Sequence, residues 1–170
     1  SIPLSLDVTC TDQIIRCVEK VISKFGRIDV LVNNAGYGYL SAIEEGEDEE
    51  VSKLFNTNFF GALALTKRVL PNMRNQKFGR IINNSSQAGL MANPGTGYYS
   101  ASKFALEGLM EALDKEVRPL NISVTSVQPG AFRTDWSGRS MKKSKINIKD
   151  YDEHVGSRIN MIGEIDGKQP

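Results

Sequence analysis

The sequence predicts an α/β fold built on a parallel sheet, and three observations carry this. Short β-branched runs at 2–8, 28–32, 80–83 and 122–127 alternate with longer segments of helical period. Each gap between runs is long enough for a helical crossover, the connection that parallel strands need. Polar or glycine-rich turns follow the runs: Asp7-Val8, Asn33-Asn34-Ala35-Gly36, Ser85-Ser86 and Pro129-Gly130. That order places them together on the rim formed by the strands' carboxyl ends, where open parallel sheets bind ligands.

Taken in order, Ile2–Val8 reads as a strand, followed by a helix that Thr11 or Asp12 can cap. Ile14, Ile15, Val18, Val21, Ile22 and Phe25 recur at helical spacing until Gly26 stops the pattern. Ile28–Val32 is a buried strand. The acids between 44 and 50 precede a long helix, as expected for its positive end. Val51, Leu54, Phe55, Phe59, Ala62, Leu63, Val69 and Leu70 form that helix's stripe, and Pro71 should close it. After strand 80–83 comes a loop rich in Gly, Ser, Asn and Pro, then a helix over Tyr98–Val117 and a strand over Ile122–Val127. The resulting βαβαβαβ order implies a sheet covered on both faces. Beyond Gly130 the pattern dissolves. Residues 131–165 read as a substrate-loop region, and the run with Arg139, Lys142, Lys143, Lys145 and Lys149 as a solvated loop able to act as a lid. The whole of 1–170 reads as a single domain.

Composition narrows the function. The 170 residues hold 21 Lys+Arg against 20 Asp+Glu, a net charge of +1. That balance argues against nucleic acid or an anionic membrane as partner, since both call for a basic excess. No apolar run approaches the ~20 residues of a membrane span, and the opening residues lack the basic start of a signal peptide. Cys10 and Cys17, with one histidine in the chain, match neither a zinc site nor a disulfide scaffold. A cytoplasmic protein with reduced thiols is expected.

Tyr99 and Lys103 stand four apart and share a helix face. A tyrosine is a poor acid or base at neutral pH, and a neighbouring ammonium would lower its pKa. A packed tyrosine beside a solvated lysine is the structural alternative. Tyr98 is a decoy, its partner one turn on being Ser102. Asn58 lies on an apolar stripe, so its amide needs partners; a structural bond to backbone competes with a role in the site. Ser100-Ala101-Ser102-Lys103 also fits a serine-nucleophile motif, without the other elements of such a site.

Tyr99-Ser100-Ala101-Ser102-Lys103 is a YxxxK motif, and it resembles that of the short-chain dehydrogenase/reductase family. Asn33-Asn34-Ala35-Gly36 is similar to the family's NNAG turn, and Asn58 and Ser86 to its active-site asparagine and serine. Pro129-Gly130 with Thr134 is similar to its PGxxxT segment, and Asp7-Val8 to its adenine-side acid. The stretch Tyr99–Trp136 looks most like the hydroxysteroid-dehydrogenase-like branch. The family's opening strand, TGxxxGxG turn and helix are missing, as are its last helix and strand, so the chain reads as an internal piece. Gly36-Tyr37-Gly38-Tyr39-Leu40-Ser41 is a near-miss for a dinucleotide fingerprint and follows the wrong strand.

The resemblance implies a Rossmann-like, doubly wound fold missing its first βα unit and its C-terminal end. It also implies hydride transfer between NAD or NADP and a small-molecule carbonyl or secondary alcohol, in a homo-oligomer. Tyr99 would be the general acid or base. Lys103 would lower its pKa and hold the nicotinamide ribose, Ser86 would bind the substrate oxygen, and Asn58 would hold a relay water. Asp7, Val8, Asn34, Ala35, Gly36, Tyr99, Lys103, Pro129, Gly130, Phe132 and Thr134 would contact the cofactor. No metal is implied. Two rivals stay open: a non-redox binding or regulatory protein on the same fold, and an epimerase or dehydratase relative.

Overall fold

Three of the four expected strands form a parallel sheet. The computed structural model describes residues 1–133, 140–164 and 167–168. Strands β1 (Val30–Asn33), β3 (Gly79–Asn84) and β4 (Ile122–Val127) run in the order β1-β3-β4, with Leu31 opposite Ile81 and Ile81 opposite Val124. Helices α3 (Ala62–Gln76) and α4 (Gly97–Val117) make the crossovers, and α1 (Thr11–Phe25) leads into β1. The register sets Leu31, Ile81 and Ile122 on one face, and there they pack with Ile14 and Val18 of α1, Leu65, Val69 and Met73 of α3, and Val117 of α4.

The other face departs from the expectation of cover on both sides. Val30 and Val32 are 51% and 55% exposed and Val127 is 46% exposed. All three helices lie against the opposite face, so among the described residues these side chains are left about half in water.

Residues 2–8 form no strand. A strand exists by pairing, and none of the described strands runs beside this segment. It ends in a turn in which Asp7 Oδ1 accepts from the Thr9 N–H at 2.8 Å and the Thr9 hydroxyl at 2.7 Å. The next helix starts at Thr11, and its N-cap is Cys10, without a side-chain bond, rather than Thr11 or Asp12. Gly26 ends it in the left-handed conformation, φ 77°, as its place after the apolar period predicts.

Pro71 does not close its helix. α2 (Asp48–Phe55) passes through a π-helical turn, Asn56–Gly61, into α3, which runs on past the proline to Gln76. Tertiary anchors hold that last turn. Met73 is fully buried, Asn72 Oδ1 accepts from the Ile28 N–H at 3.1 Å, and Gln76 Nε2 donates to the carbonyls of Ile28 and Phe78, each at 2.7 Å. Together these outweigh a proline's cost of ~3 kcal/mol.

Nor is the segment around 140–151 a solvated loop. Met141–Lys143 is a strand, β5, parallel to β2 (Gly38–Leu40) in a second, two-stranded sheet. Met141, Ile146 and Tyr151 pack on Leu40, Ala42, Val155 and Ile159, the last from α5 (Ser157–Glu164). Sequence pattern missed this because the anchors are spaced irregularly and their partners lie about a hundred residues earlier.

Candidate active site

The loops after β1, β3 and β4 share the carboxyl rim of the main sheet. Two backbone bonds join the last two of these: the Ser85 N–H donates to the Val127 carbonyl at 2.9 Å and the Gln87 N–H to the Pro129 carbonyl at 3.0 Å. α4 runs beneath this rim. Its first turns carry Tyr99 and Lys103, both buried, at 6% and 4% exposure. Ser86 is the N-cap of a short 3₁₀ turn over Gln87–Gly89, its Oγ accepting from the Ala88 N–H at 3.1 Å. The Ser86 hydroxyl also hydrogen-bonds the Tyr99 phenol.

Burial pushes the Tyr99 phenol above its ordinary value, and the bond from Ser86 offsets part of the rise. The lowering expected from Lys103 is not present. Lys103 Nζ lies 5.8 Å from the centroid of the Tyr99 ring, and burial pulls its own ammonium down to about 8, Glu107 opposing. Nζ donates to the Asn84 carbonyl at 2.8 Å, and among the described residues that is its one hydrogen bond.

Asn58 sits in the π-helical turn and is 1% exposed. Its Oδ1 accepts from the Tyr37 N–H at 3.0 Å, and its Nδ2 donates to the Tyr37 carbonyl at 2.9 Å and to Ser102 Oγ at 3.1 Å. Ser102 Oγ in turn donates to the Tyr99 carbonyl at 2.7 Å. Asn58 therefore ties the turn after β1 to the helix of Tyr99, which is the backbone-tether alternative weighed from the sequence. A single π turn aims this side chain inward, a common place for such turns. Gly36 closes the cluster: a Cβ there would lie 3.1 Å from Asn58 Oδ1 and 3.5 Å from Lys103 Nζ.

The other candidates are spread along the rim. Asn34 Oδ1 accepts from Asn84 Nδ2 at 2.7 Å, binding the β1 loop to the β3 loop, with Ala35 between Asn34 and Gly36. Pro129 is half-buried, while Gly130 and Phe132 are exposed past the end of β4. Thr134 and Trp136 lie outside the described residues. Asp7 and Val8 are the exception to the expected four-turn rim, because no strand precedes them. Asp7 is exposed, its carboxyl held below the ordinary range by Thr9. Val8 packs on Gly61 at the end of the π turn, where a Cβ would come within 2.7 Å of Val8 Cγ2.

Sequence reasoning passed over Ser102, Asn84 and Tyr37, which hold Asn58 and Lys103 in place. Ser102's partner Asn58 is 44 residues away, and no local pattern marks the pair.

A profile of the short chain dehydrogenase family matches residues 1–145. The chain belongs to the short-chain dehydrogenase/reductase family. It is 52% identical over 160 residues to the 3-ketodihydrosphingosine reductase of Bacteroides thetaiotaomicron, covering 94% of this chain and 60% of that protein. It is 39% identical over 143 residues to the 3-oxoacyl-[acyl-carrier-protein] reductase FabG of Thermotoga maritima, covering 84% and 58%. The crystal structure of a short-chain dehydrogenase from Streptomyces avermitilis superposes with a TM-score of 0.87 at 41% identity, over 94% of this chain and 58% of that one. ElxO with NADP bound superposes with a TM-score of 0.72 at 36% identity, over 74% and 51%. The chain thus spans about 60% of the length of the curated relatives it matches. These likenesses place its three-stranded sheet within a Rossmann-like α/β fold.

For a member of this family, the donor set fits one end of a dinucleotide. Lys103 keeps two of its three N–H groups for a ligand's hydroxyls. Gly36 leaves open the cradle between Lys103 and Asn58 that any side chain would fill. The 170 residues contain no glycine-rich turn of the kind that carries a pyrophosphate.

Proposed function

We propose that this protein reduces a carbonyl to a secondary alcohol using NAD or NADP, with Tyr99 donating the proton. One observation carries the reading. Tyr99 is buried at the carboxyl rim, its phenol bonded to the Ser86 hydroxyl and its ring beside the Lys103 ammonium. A proton donor and two polar groups are thereby gathered at one place, as a carbonyl reduction needs. When bound, the nicotinamide supplies the hydride. Ser86, bonded to the same phenol, orients the substrate oxygen beside it. Lys103 holds the nicotinamide ribose with its two remaining N–H groups. Asn58 is a positioning residue in the geometry described, fixing Tyr37 and Ser102. Asn34, Ala35 and Gly36 flank the cofactor on one side, Pro129, Gly130, Phe132 and Thr134 on the nicotinamide side, and Asp7 and Val8 on the adenine side.

The substrate class we infer is a 3-keto group on an alkyl chain. Two relatives are named for 3-keto substrates. Leu90 and Met91, directly after the Ser86 turn, are 61% and 50% exposed and offer an alkyl chain an apolar track. Half-exposed Phe60 and Phe104 support a homo-oligomer, and the free thiols of Cys10 and Cys17 support a cytoplasmic setting. Among the described residues no helix is long and apolar enough to cross a membrane.

The test is NADPH oxidation by the whole protein with 3-ketodihydrosphingosine in detergent micelles and with ethyl acetoacetate. Tyr99→Phe should lower kcat by about 10²–10⁴-fold and leave cofactor affinity unchanged. Turnover retained in that variant overturns the assignment.

A further inference from the structure

The acids of 44–50 and the segment 142–151, which sequence pattern assigns to a helix start and to solvent, meet in the structure. Glu45 Oε1 accepts from the backbone N–H groups of Asn147 at 2.6 Å and Ile148 at 2.9 Å. Glu50 pairs with Lys142 at 2.5 Å, and the Tyr151 hydroxyl donates to Glu44 Oε2 at 2.7 Å. Of the basic run, Lys142 is thus paired with an acid within the chain.

These three contacts are not equal. Lys142 and Tyr151 reach across exposed surface, where such pairs contribute little. Glu45 is different. One carboxylate oxygen takes two main-chain donors at the point where the chain enters the 3₁₀ turn Lys149–Tyr151, and bonds of this charge-assisted kind are the stronger ones. Its other oxygen, Oε2, is buried with no partner. A carboxylate held in that way is costly to the fold, so its placement calls for a gain elsewhere.

The acidic turn is also clamped from below. The Tyr98 hydroxyl donates to the Ile43 carbonyl at 2.6 Å, and the Tyr98 ring fills the space over Gly46, where a Cβ would come within 2.1 Å of ring carbon Cε2. Tyr98 is the residue before Tyr99 on α4. Strand β2 makes a second link by alternation: Tyr39 packs in the cluster of Tyr99, and the next residue, Leu40, packs on the far side with Met141, Ile146 and Tyr151. At the edge of the site, Lys142 Nζ lies 5.5 Å from the centroid of the Tyr37 ring, which itself packs against the Tyr99 cluster.

From this geometry we infer that Glu45 is a positioning residue for the substrate side of the site: by holding Asn147 and Ile148 it fixes segment 140–151 relative to Tyr99, through the Tyr98 strut. The inference rests on Tyr99 being the proton donor of a carbonyl reduction.

The experiment compares Glu45→Ala and Glu45→Gln with the unaltered whole protein. The readouts are hydrogen exchange of the backbone amides, kcat and KM for ethyl acetoacetate with NADPH, and NADPH affinity by fluorescence. Glu45→Ala should speed exchange across 140–151 by at least about 100-fold, the loss of two charge-assisted bonds, with β1, β3 and β4 unchanged. It should raise KM by up to the same factor while kcat and NADPH affinity hold. Glu45→Gln keeps a carbonyl acceptor and should restore most of both. Unaltered exchange at 140–151, a loss of kcat and NADPH affinity instead of KM, or no rescue by Gln overturns the inference. Exchange is read without substrate, so failure of the clamp shows there. Failure of the reductase reading shows as absent turnover in the unaltered protein and removes the positioning role with it.

Discussion

Replacing Lys103 by methionine should stabilise the apoprotein at neutral pH while abolishing turnover. Lys103 is 4% exposed, and burial pulls its ammonium from an ordinary 10.5 down to about 8. Between those values the unfolded chain binds a proton that the folded chain does not, so stability rises with pH across that window. Below about 8 the folded protein carries the whole cost of the buried charge. The gap corresponds to about 3 kcal/mol, at roughly 1.4 kcal/mol for each tenfold in proton affinity. The bond from Nζ to the Asn84 carbonyl works the other way by about 1 kcal/mol, and methionine loses it. The net gain expected near neutral pH is therefore about 2 kcal/mol, a rise in Tm of about 4–8 °C for a domain of this size. Methionine keeps the length of the lysine stem, so packing against α4's neighbours should survive. Thermal melts of both apoproteins, from about pH 6 to about pH 10.5, check the sign as well as the size. The difference should be largest at the acid end and shrink toward the alkaline end. A variant that melts below the unaltered protein at neutral pH, or a gap that widens with pH, refutes the reasoning.

Gly36→Ala should leave the fold intact, since this glycine does not adopt a positive φ, yet weaken NADPH binding by about tenfold by filling the cradle beside Asn58 and Lys103. Asn58 cannot retreat easily, being held by three hydrogen bonds, and an unchanged affinity by fluorescence titration would show that the cradle is not used. Expressed alone, these 170 residues should bind NAD(P) weakly or not at all in calorimetric titration, for want of a pyrophosphate-carrying turn. They should also self-associate, because β1 and β4 each present an open edge and Val30, Val32 and Val127 leave an apolar face in water. Micromolar binding by a monomeric sample contradicts both expectations.

The elements that depend on neighbours a few residues away were legible in the sequence. β3, β4 and α4 stand within a residue or two of where β-branched runs, apolar period and stop signals put them. Tyr99 and Lys103 share a helix face because 3.6 residues make a turn, a local geometry that spacing alone conveys. The strand-end loops follow from the alternation of strand and helix, which fixes the side of the sheet on which each connection emerges.

Tertiary structure decided what depends on distant partners. Residues 2–8 have strand composition and no strand, since pairing is a property of two segments. Pro71 sits inside α3 because Met73, Asn72 and Gln76 are gripped by other parts of the chain. The π turn that aims Asn58 inward adds one residue to a hydrogen-bond ladder and leaves no mark on composition. Asn58's partners lie 21 and 44 residues away, and those of Glu45 lie 102 and 103 away. The balance of burial and charge belongs there too: spacing suggested a tyrosine lowered by its lysine, whereas burial is the largest influence on both, raising the phenol and lowering the ammonium. Spacing along a helix tells which side chains are neighbours, but only the packed interior determines how much water each has lost.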